Sequence, residues 1–196
     1  MNERETLIWA ARQLFDHRAT PGTTGNLSLL EEGRMLVSPG GACFGTLEEG
    51  QLCAMTLDGE ALDERRPSKE WPIHAMLHQL RGMNGAVIHT HGFYTTAWSC
   101  LPCDNPQDAI PAYTPYLRMK GGAVRWVPYA APGSQALFEA FRAALDKSAA
   151  VYLLAHHGAF VTAPTVMDAF NLIEETEESA RMALLLRGTA ARTLPL

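Results

Sequence analysis

No stretch of this chain approaches the roughly 18 uninterrupted apolar residues of a membrane-crossing helix. Lysine and arginine never gather into a run, and the formal net charge is -5. That balance leaves no electrostatic footprint for nucleic acid or for an anionic membrane, so neither is expected as a partner. The opening residues, MNERETLIWAARQLF, are charged and helical in period and lack the apolar centre of a secretion signal, which makes the cytoplasm the expected compartment. Cysteine is scarce too: Cys43, Cys53, Cys100 and Cys103 are expected as reduced thiols rather than a disulfide framework. The CLPC at 100–103 is a lone pair around a proline, and reads as loop thiols rather than a metal or redox centre. Internal repeats and low-complexity tracts are absent.

What is present suits one globular domain over residues 1–196, with 47% hydrophobic and 19% charged residues. Leu7, Ala11, Leu14 and Phe15 recur at helical spacing, and the cluster TPGTTGN stops that helix. NLSLL, EEGR and MLVSP read as a strand, a turn carrying Gly33 and a second strand. Ser68 after Pro67 predicts an N-cap and a helix from Lys69 to about Leu80, with Pro72 tolerated in its first turn. GAVIHTH, VRWVPY and AVYLLAHHG are short apolar runs expected as strands. A long helix is expected from about Thr165 to Arg187, with Phe170, Ile173, Ala180 and Leu184 on one stripe. Helices and strands interleave without a regular βαβ rhythm, so the expected fold is α/β with a central, mainly antiparallel or mixed sheet covered by helices.

Histidine is concentrated where chemistry is plausible. Residues two apart in a strand face the same side, so His89 and His91 project together, as two ligands of one metal or as two hydrogen-bonded histidines at a strand end. His156 and His157 close another strand, and neighbours in a strand face opposite sides, so one of them can join the first pair. Three nitrogens and an open position make a catalytic rather than a structural zinc pattern. His74 and His78, four apart on a helix with Glu70 one turn back, lack the glutamate of a metalloprotease helix and read as packing or surface residues. Glu70 has a plain explanation in the helix dipole. Glu177 falls within the last helix's apolar stripe, as a helix edge or as a carboxylate behind a histidine. Glu174, Glu175 and Glu178 read as its solvated face. TTGN, SPGG and PSK each offer amides or hydroxyls to an anion, and Ser68 with Lys69 stands at a helix start; turn chemistry explains each alone equally well, and a phosphorylated ligand explains them jointly.

Taken in order, TTGNLS, SPGG, PSKEWPIH, AVIHTHG and LLAHHGAF resemble the class II aldolase/adducin family over residues 5 to 187. Within it, GACFGTL at 41–47 and IPAYTPYLRMKGG at 110–122 are most similar to the 3-oxo-tetronate 4-phosphate decarboxylases. The resemblance implies zinc or another divalent metal on His89, His91 and His157, with Glu70 as the acid/base residue. Gly25, Asn26, Gly40, Gly41, Ser68 and Lys69 would surround the substrate and its phosphate. Sites of this family lie at the interfaces of a homotetramer, and Tyr116 would be the tyrosine lent to a neighbouring subunit. Two departures stand out: Gly40 and Gly41 replace a hydroxyl or acidic residue, and Lys69 replaces a serine of the fuculose-type aldolases, adding a charge for phosphate. The chain ends at Leu196, soon after the last expected helix, where some aldolases continue into a longer tail.

The implied activity is that of a lyase. Loss of CO2 from a 3-oxo acid would leave an enediolate on the metal, and Glu70 would protonate its carbon to give dihydroxyacetone phosphate. Cleavage of a ketose 1-phosphate by a class II aldolase makes the same enediolate. A zinc-stabilised binding module without catalysis is the third expectation, because the family also contains adducin.

Overall fold

The computed structural model describes residues 1–82 and 84–195. Helix α1 (Glu3–Asp16) begins at Asn2, whose side chain accepts from the Glu5 amide while the Glu5 carboxylate accepts from the Asn2 amide. This reciprocal cap satisfies two otherwise unpaired donors. Leu7, Ala11 and Leu14 are buried, as their spacing predicts. Strands β1 (Asn26–Glu31) and β2 (Arg34–Val37) form the expected hairpin. Its two turn residues, Glu32 and Gly33, both have positive φ, at 49° and 75°, the twist that matches a tight antiparallel pair. Then follow β3 (Cys53–Met55), α2 (Trp71–Arg81), β4 (Gly85–Thr90), α3 (Phe93–Ser99) and α4 (Tyr116–Gly121). The chain continues with β5 (Val124–Val127), α5 (Gln135–Ala144), β6 (Val151–Leu154), β7 (Gly158–Ala163) and α6 (Val166–Leu186).

Among the described residues seven strands join one sheet in the order β3-β2-β1-β4-β7-β6-β5. Only β5 and β6 run parallel, with α5 as the crossover; every other neighbouring pair is antiparallel. The expected mixed α/β sheet is therefore what forms. Because side chains alternate along a strand, each face gathers its own core. Leu27, Leu29, Ile88 and Val161 pack against residues of α1 and α6, including Leu7, Leu14 and Phe170. On the other face Val87, Tyr152 and Phe160 pack against Ile73 and Leu77 of α2 and against Leu137 and Phe141 of α5.

Two local expectations change. Helix α2 starts at Trp71 rather than Lys69, and Ser68 is not its side-chain cap. The Ser68 amide donates to the Ser38 carbonyl at 3.0 Å and Pro67 bridges Pro39, so the segment stays extended through Ser68. The helix starts after it, with Glu70 at the capping position and Pro72 in the first turn. His156 and His157 are not strand residues: β6 stops at Leu154, and residues 155–157 turn the chain into β7, with His156 at φ 55°. Strands β3 and β7 carry too weak an alternation to stand out, CAM being three residues and GAFVTA mostly small ones.

Phe160 ties the second core to the polar residues beside it. It is fully buried, stacks on the His89 ring at 4.0 Å and meets the edges of His74 and Phe141, each at 5.5 Å. Phe160→Ala is expected to lower stability by about 3–5 kcal/mol in urea unfolding, since the cavity cannot close without moving those rings.

Candidate active site

Strand pairing brings the histidines together. In the antiparallel ladders His89 lies opposite Asn26 of β1 on one side and Phe160 of β7 on the other, so its ring emerges on the face covered by α2. His91 follows one residue beyond the end of β4, and His157 closes the β6–β7 turn. The three rings stand 4.7–4.9 Å apart, and one nitrogen from each lies within 4.8 Å of the others. Nδ1 of His89 is 2.9 Å from the Ala159 carbonyl, which fixes the proton there and leaves Nε2 with its lone pair inward. Nε2 of His91 is 2.9 Å from that atom. Tetrahedral zinc, with Zn–N near 2.0–2.1 Å, separates its nitrogens by about 3.3 Å, so the His89 and His91 nitrogens need only open slightly to share such an ion.

Burial keeps these imidazoles neutral, the form that binds metal. It holds His89 well below its ordinary value, with the neighbouring histidines adding to the effect. His91 is lowered to about 4 by burial and by His157, and His157 is lowered by burial against the opposing pull of Glu70. Access comes from the His91 side, since His91 is half-buried whereas His89 is 0% and His157 7% exposed.

Glu70 lies against this cluster. Its Oε2 is 3.5 Å from His89 Nε2 and accepts a 2.9 Å hydrogen bond from Asn26 Nδ2, while Oε1 is 3.5 Å from His157 Nε2. Oε1 is buried without a hydrogen-bond partner, an acceptor aimed at the space beside the histidines. The helix-dipole explanation of Glu70 therefore falls short: a buried carboxylate at the start of α2 is held by other side chains. His156 takes no part; it is exposed and faces Tyr129.

The segments read as anion sites converge beside Glu70. Gly25, at φ 81°, lets TTGN run along the end of β4; a Cβ there would come within 2.8 Å of the His89 carbonyl. Ser38 holds both backbone groups of Leu27, and the Ser68 hydroxyl takes the Glu70 amide at 3.3 Å. The Gly40 amide is spent on the Arg66 carbonyl, and Gly41 follows at φ 75°. Lys69 is exposed, its stem lies over Gly133, and its charge reaches His157. Tyr116 is 56% exposed as the first residue of α4.

Glu177 stands half-buried at the edge of α6 and bonds to backbone amides rather than to a histidine. Its carboxylate accepts from the Tyr94 and Thr95 amides at 2.7 and 2.9 Å and so caps α3 directly after His91. Any side chain at Gly92 would collide with it. His74 and His78 are 0% and 2% exposed, so of the two roles expected for them packing holds and surface exposure does not. Their bonds to Ser28 and Asn26 were unforeseen, although the spacing from Glu70 along one helix face was the available signal.

A profile of the Class II Aldolase and Adducin N-terminal domain matches residues 5–184. The chain belongs to this family. Among class II aldolase relatives, the 3-oxo-tetronate 4-phosphate decarboxylase of Haemophilus influenzae is 35% identical, with 98% of this chain and 91% of that protein covered. The 5-methylthioribulose-1-phosphate/5-deoxyribulose-1-phosphate aldolase of Rhodospirillum rubrum is 36% identical, with 90% and 78% covered. The crystal structure of YgbL from Klebsiella pneumoniae superposes with a TM-score of 0.93 at 36% identity, covering 98% of this chain and 93% of that one. Lyases of two kinds thus share this class II aldolase fold.

His91→Ala is expected to abolish stoichiometric divalent metal binding, read by metal analysis after dialysis; full metal content in that variant removes His91 from the site. In metal-free protein His78 and His91 stay neutral down to about 4, whereas in the unfolded chain both titrate near 6.5. The unfolded state then binds more protons across that window, so stability should rise from pH 4 to about 6.5 and level off above it. Urea titrations across the range check the sign.

Proposed function

We propose that this chain decarboxylates a 3-oxo-tetronate 4-phosphate to dihydroxyacetone phosphate and CO2, with His89, His91 and His157 holding zinc or another divalent metal. The observation that carries the reading is Glu70, whose unpartnered Oε1 faces the three-histidine cluster, in a chain 35% identical over nearly its whole length to a decarboxylase of this substrate. A metal bound there supplies Lewis-acid stabilisation of negative charge on substrate oxygens.

The remaining work falls to the protein's own groups. Ser68 and Lys69, with the backbone at Gly25 and Gly41, take the phosphate, and the charge of Lys69 adds to the hydrogen bonds. The C1–C2 bond breaks, CO2 leaves, and the electron pair moves into the C2–C3 unit to give an enediolate. Oε1 of Glu70, in its protonated form, delivers a proton to C2 and yields the ketone product; water then restores the proton on Glu70. Asn26, its amide already engaged by Glu70 and His74, acts on the carboxylate in this reading and borders the phosphate through its backbone. The enzyme works as a cytoplasmic homotetramer in which the exposed Tyr116 reaches a neighbouring subunit's site.

Aldol cleavage is the second reading, favoured by the Rhodospirillum rubrum aldolase at 36% identity. Expulsion of an aldehyde from a ketose 1-phosphate leaves the same enediolate, so Glu70 keeps its role. CO2 separates the two. Purified protein supplied with a 3-oxo-tetronate 4-phosphate is expected to form CO2 and dihydroxyacetone phosphate in equal amounts, and a chelator should stop both. Metal-loaded protein that releases no CO2 refutes the decarboxylase reading and makes ketose 1-phosphates the next substrates. Glu70→Gln should keep its metal and lose about 10²–10⁴-fold in kcat; undiminished turnover removes Glu70 from the mechanism.

A further inference from the structure

Behind Glu70 a line of buried polar groups runs away from the histidine cluster. Asn26 Nδ2 donates to Glu70 Oε2, and Asn26 Oδ1 is 2.5 Å from His74 Nε2. His74 Nδ1 is 2.8 Å from the Ser28 hydroxyl, which is also 2.8 Å from His78 Nε2. All four of Asn26, Ser28, His74 and His78 are 5% exposed or less, set among Ile73, Leu77, Val87 and Phe160. A purely structural contact between β1 and α2 at this depth would be satisfied by apolar side chains at no hydrogen-bonding risk.

Proton positions along the line follow from its two ends. A carboxylate only accepts, so Asn26 must turn its NH2 toward Glu70 and its carbonyl oxygen toward His74. His74 must then donate from Nε2. Burial keeps this imidazole neutral, so its Nδ1 is bare and receives the Ser28 hydroxyl proton. The Ser28 oxygen in turn accepts from Nε2–H of His78. Every donor therefore points toward Glu70, and each group excludes the alternative orientation of the next.

We propose that Ser28, His74 and His78 form a one-way hydrogen-bond chain that locks the Asn26 amide against Glu70 Oε2, so that Oε1 is the oxygen that carries the proton, and His74 is the positioning residue. The inference rests on Glu70 acting as the acid/base group. Asn26 cannot pass a proton without turning its amide over, so the chain orients the carboxylate rather than conducting to it. It assigns different work to the two oxygens of one side chain: Oε2 is anchored, and Oε1, without a partner, faces the substrate side.

The test pairs kinetics, on whichever substrate class the enzyme turns over, with imidazole NMR of 15N-histidine-labelled, zinc-loaded protein. His74→Leu is expected to lower kcat about tenfold to a hundredfold, with KM and metal content within about twofold of wild type, because misplacing a reacting group costs rate rather than binding. His74→Gln keeps a donor for Asn26 Oδ1 and should recover most of that loss. A Gln variant no better than the Leu variant, or a raised KM at unchanged kcat, overturns the positioning role. Should His74→Leu fail to fold, Ser28→Ala reads the same quantity with a smaller deletion: a fall in kcat of about threefold or more is expected, and an unchanged kcat overturns the proposal. In the NMR arm His74 and His78 should both be neutral Nε2–H tautomers, and Ser28→Ala should release His74 from its single form; an Nδ1–H tautomer at His74 in the wild type refutes the chain. Wild-type protein inactive on both substrate classes refutes the lyase reading instead, and the tautomers then decide the chain by themselves.

Discussion

The register of the three central strands is the constraint on which the rest depends. Asn26, His89 and Phe160 stand side by side across β1, β4 and β7, and all three side chains emerge beneath α2. A slip of one residue in β4 would turn His89 into the apolar layer of α1 and α6, where Ile88 now packs, and would bring Ile88 out toward Glu70. Hydrophobic alternation makes that slip costly on both faces at once. The layers that stabilise the sheet therefore also set the position of the polar cluster to within one side chain.

That cluster carries an energetic cost which the fold keeps small but does not remove. Leaving a buried polar atom without a partner costs on the order of 1–3 kcal/mol. Most of the atoms around Glu70 avoid the cost by bonding to one another, and the Ala159 carbonyl serves His89 in the same way. Two do not: Glu70 Oε1 and His157 Nδ1 are buried and unmatched. The first faces the histidine nitrogens, where an ion and a substrate would supply what the protein leaves open. Such a local break in otherwise consistent packing is the usual mark of a functional position.

Much of this was legible in sequence. Period-two and period-3.6 patterns located α1, the first hairpin, β4, β5 and α6, and the side-by-side projection of His89 and His91 followed from strand geometry alone. Strand alternation admits one of His156 and His157 without saying which, and the family resemblance names His157; in the fold a tight turn makes the choice, because His156 takes a left-handed conformation that no alternation rule describes. The start of α2 shifted because a long-range pairing between residues 38 and 68 overrode a local capping signal. Glu177 was hidden for a similar reason, since its partners are backbone amides 82 and 83 residues away and the space it needs is provided by a glycine. The hydrogen bonds of His74 and His78 belong to the same class; helical spacing grouped them with Glu70, while only the fold supplied Ser28 and Asn26.

The β6–β7 turn also decides how much of the chain the site draws together. His89 and the Ala159 carbonyl that fixes its proton are 70 residues apart, and His157 sits between that carbonyl and the preceding strand. The β4–β7 pairing closes a loop of about this length, so the cluster depends on a contact of high sequence separation. An ion held by both β4 and the turn would fasten together two segments far apart in sequence, and one that prefers the finished site over the loose thiols and imidazoles of the unfolded chain would stabilise the folded sheet by mass action.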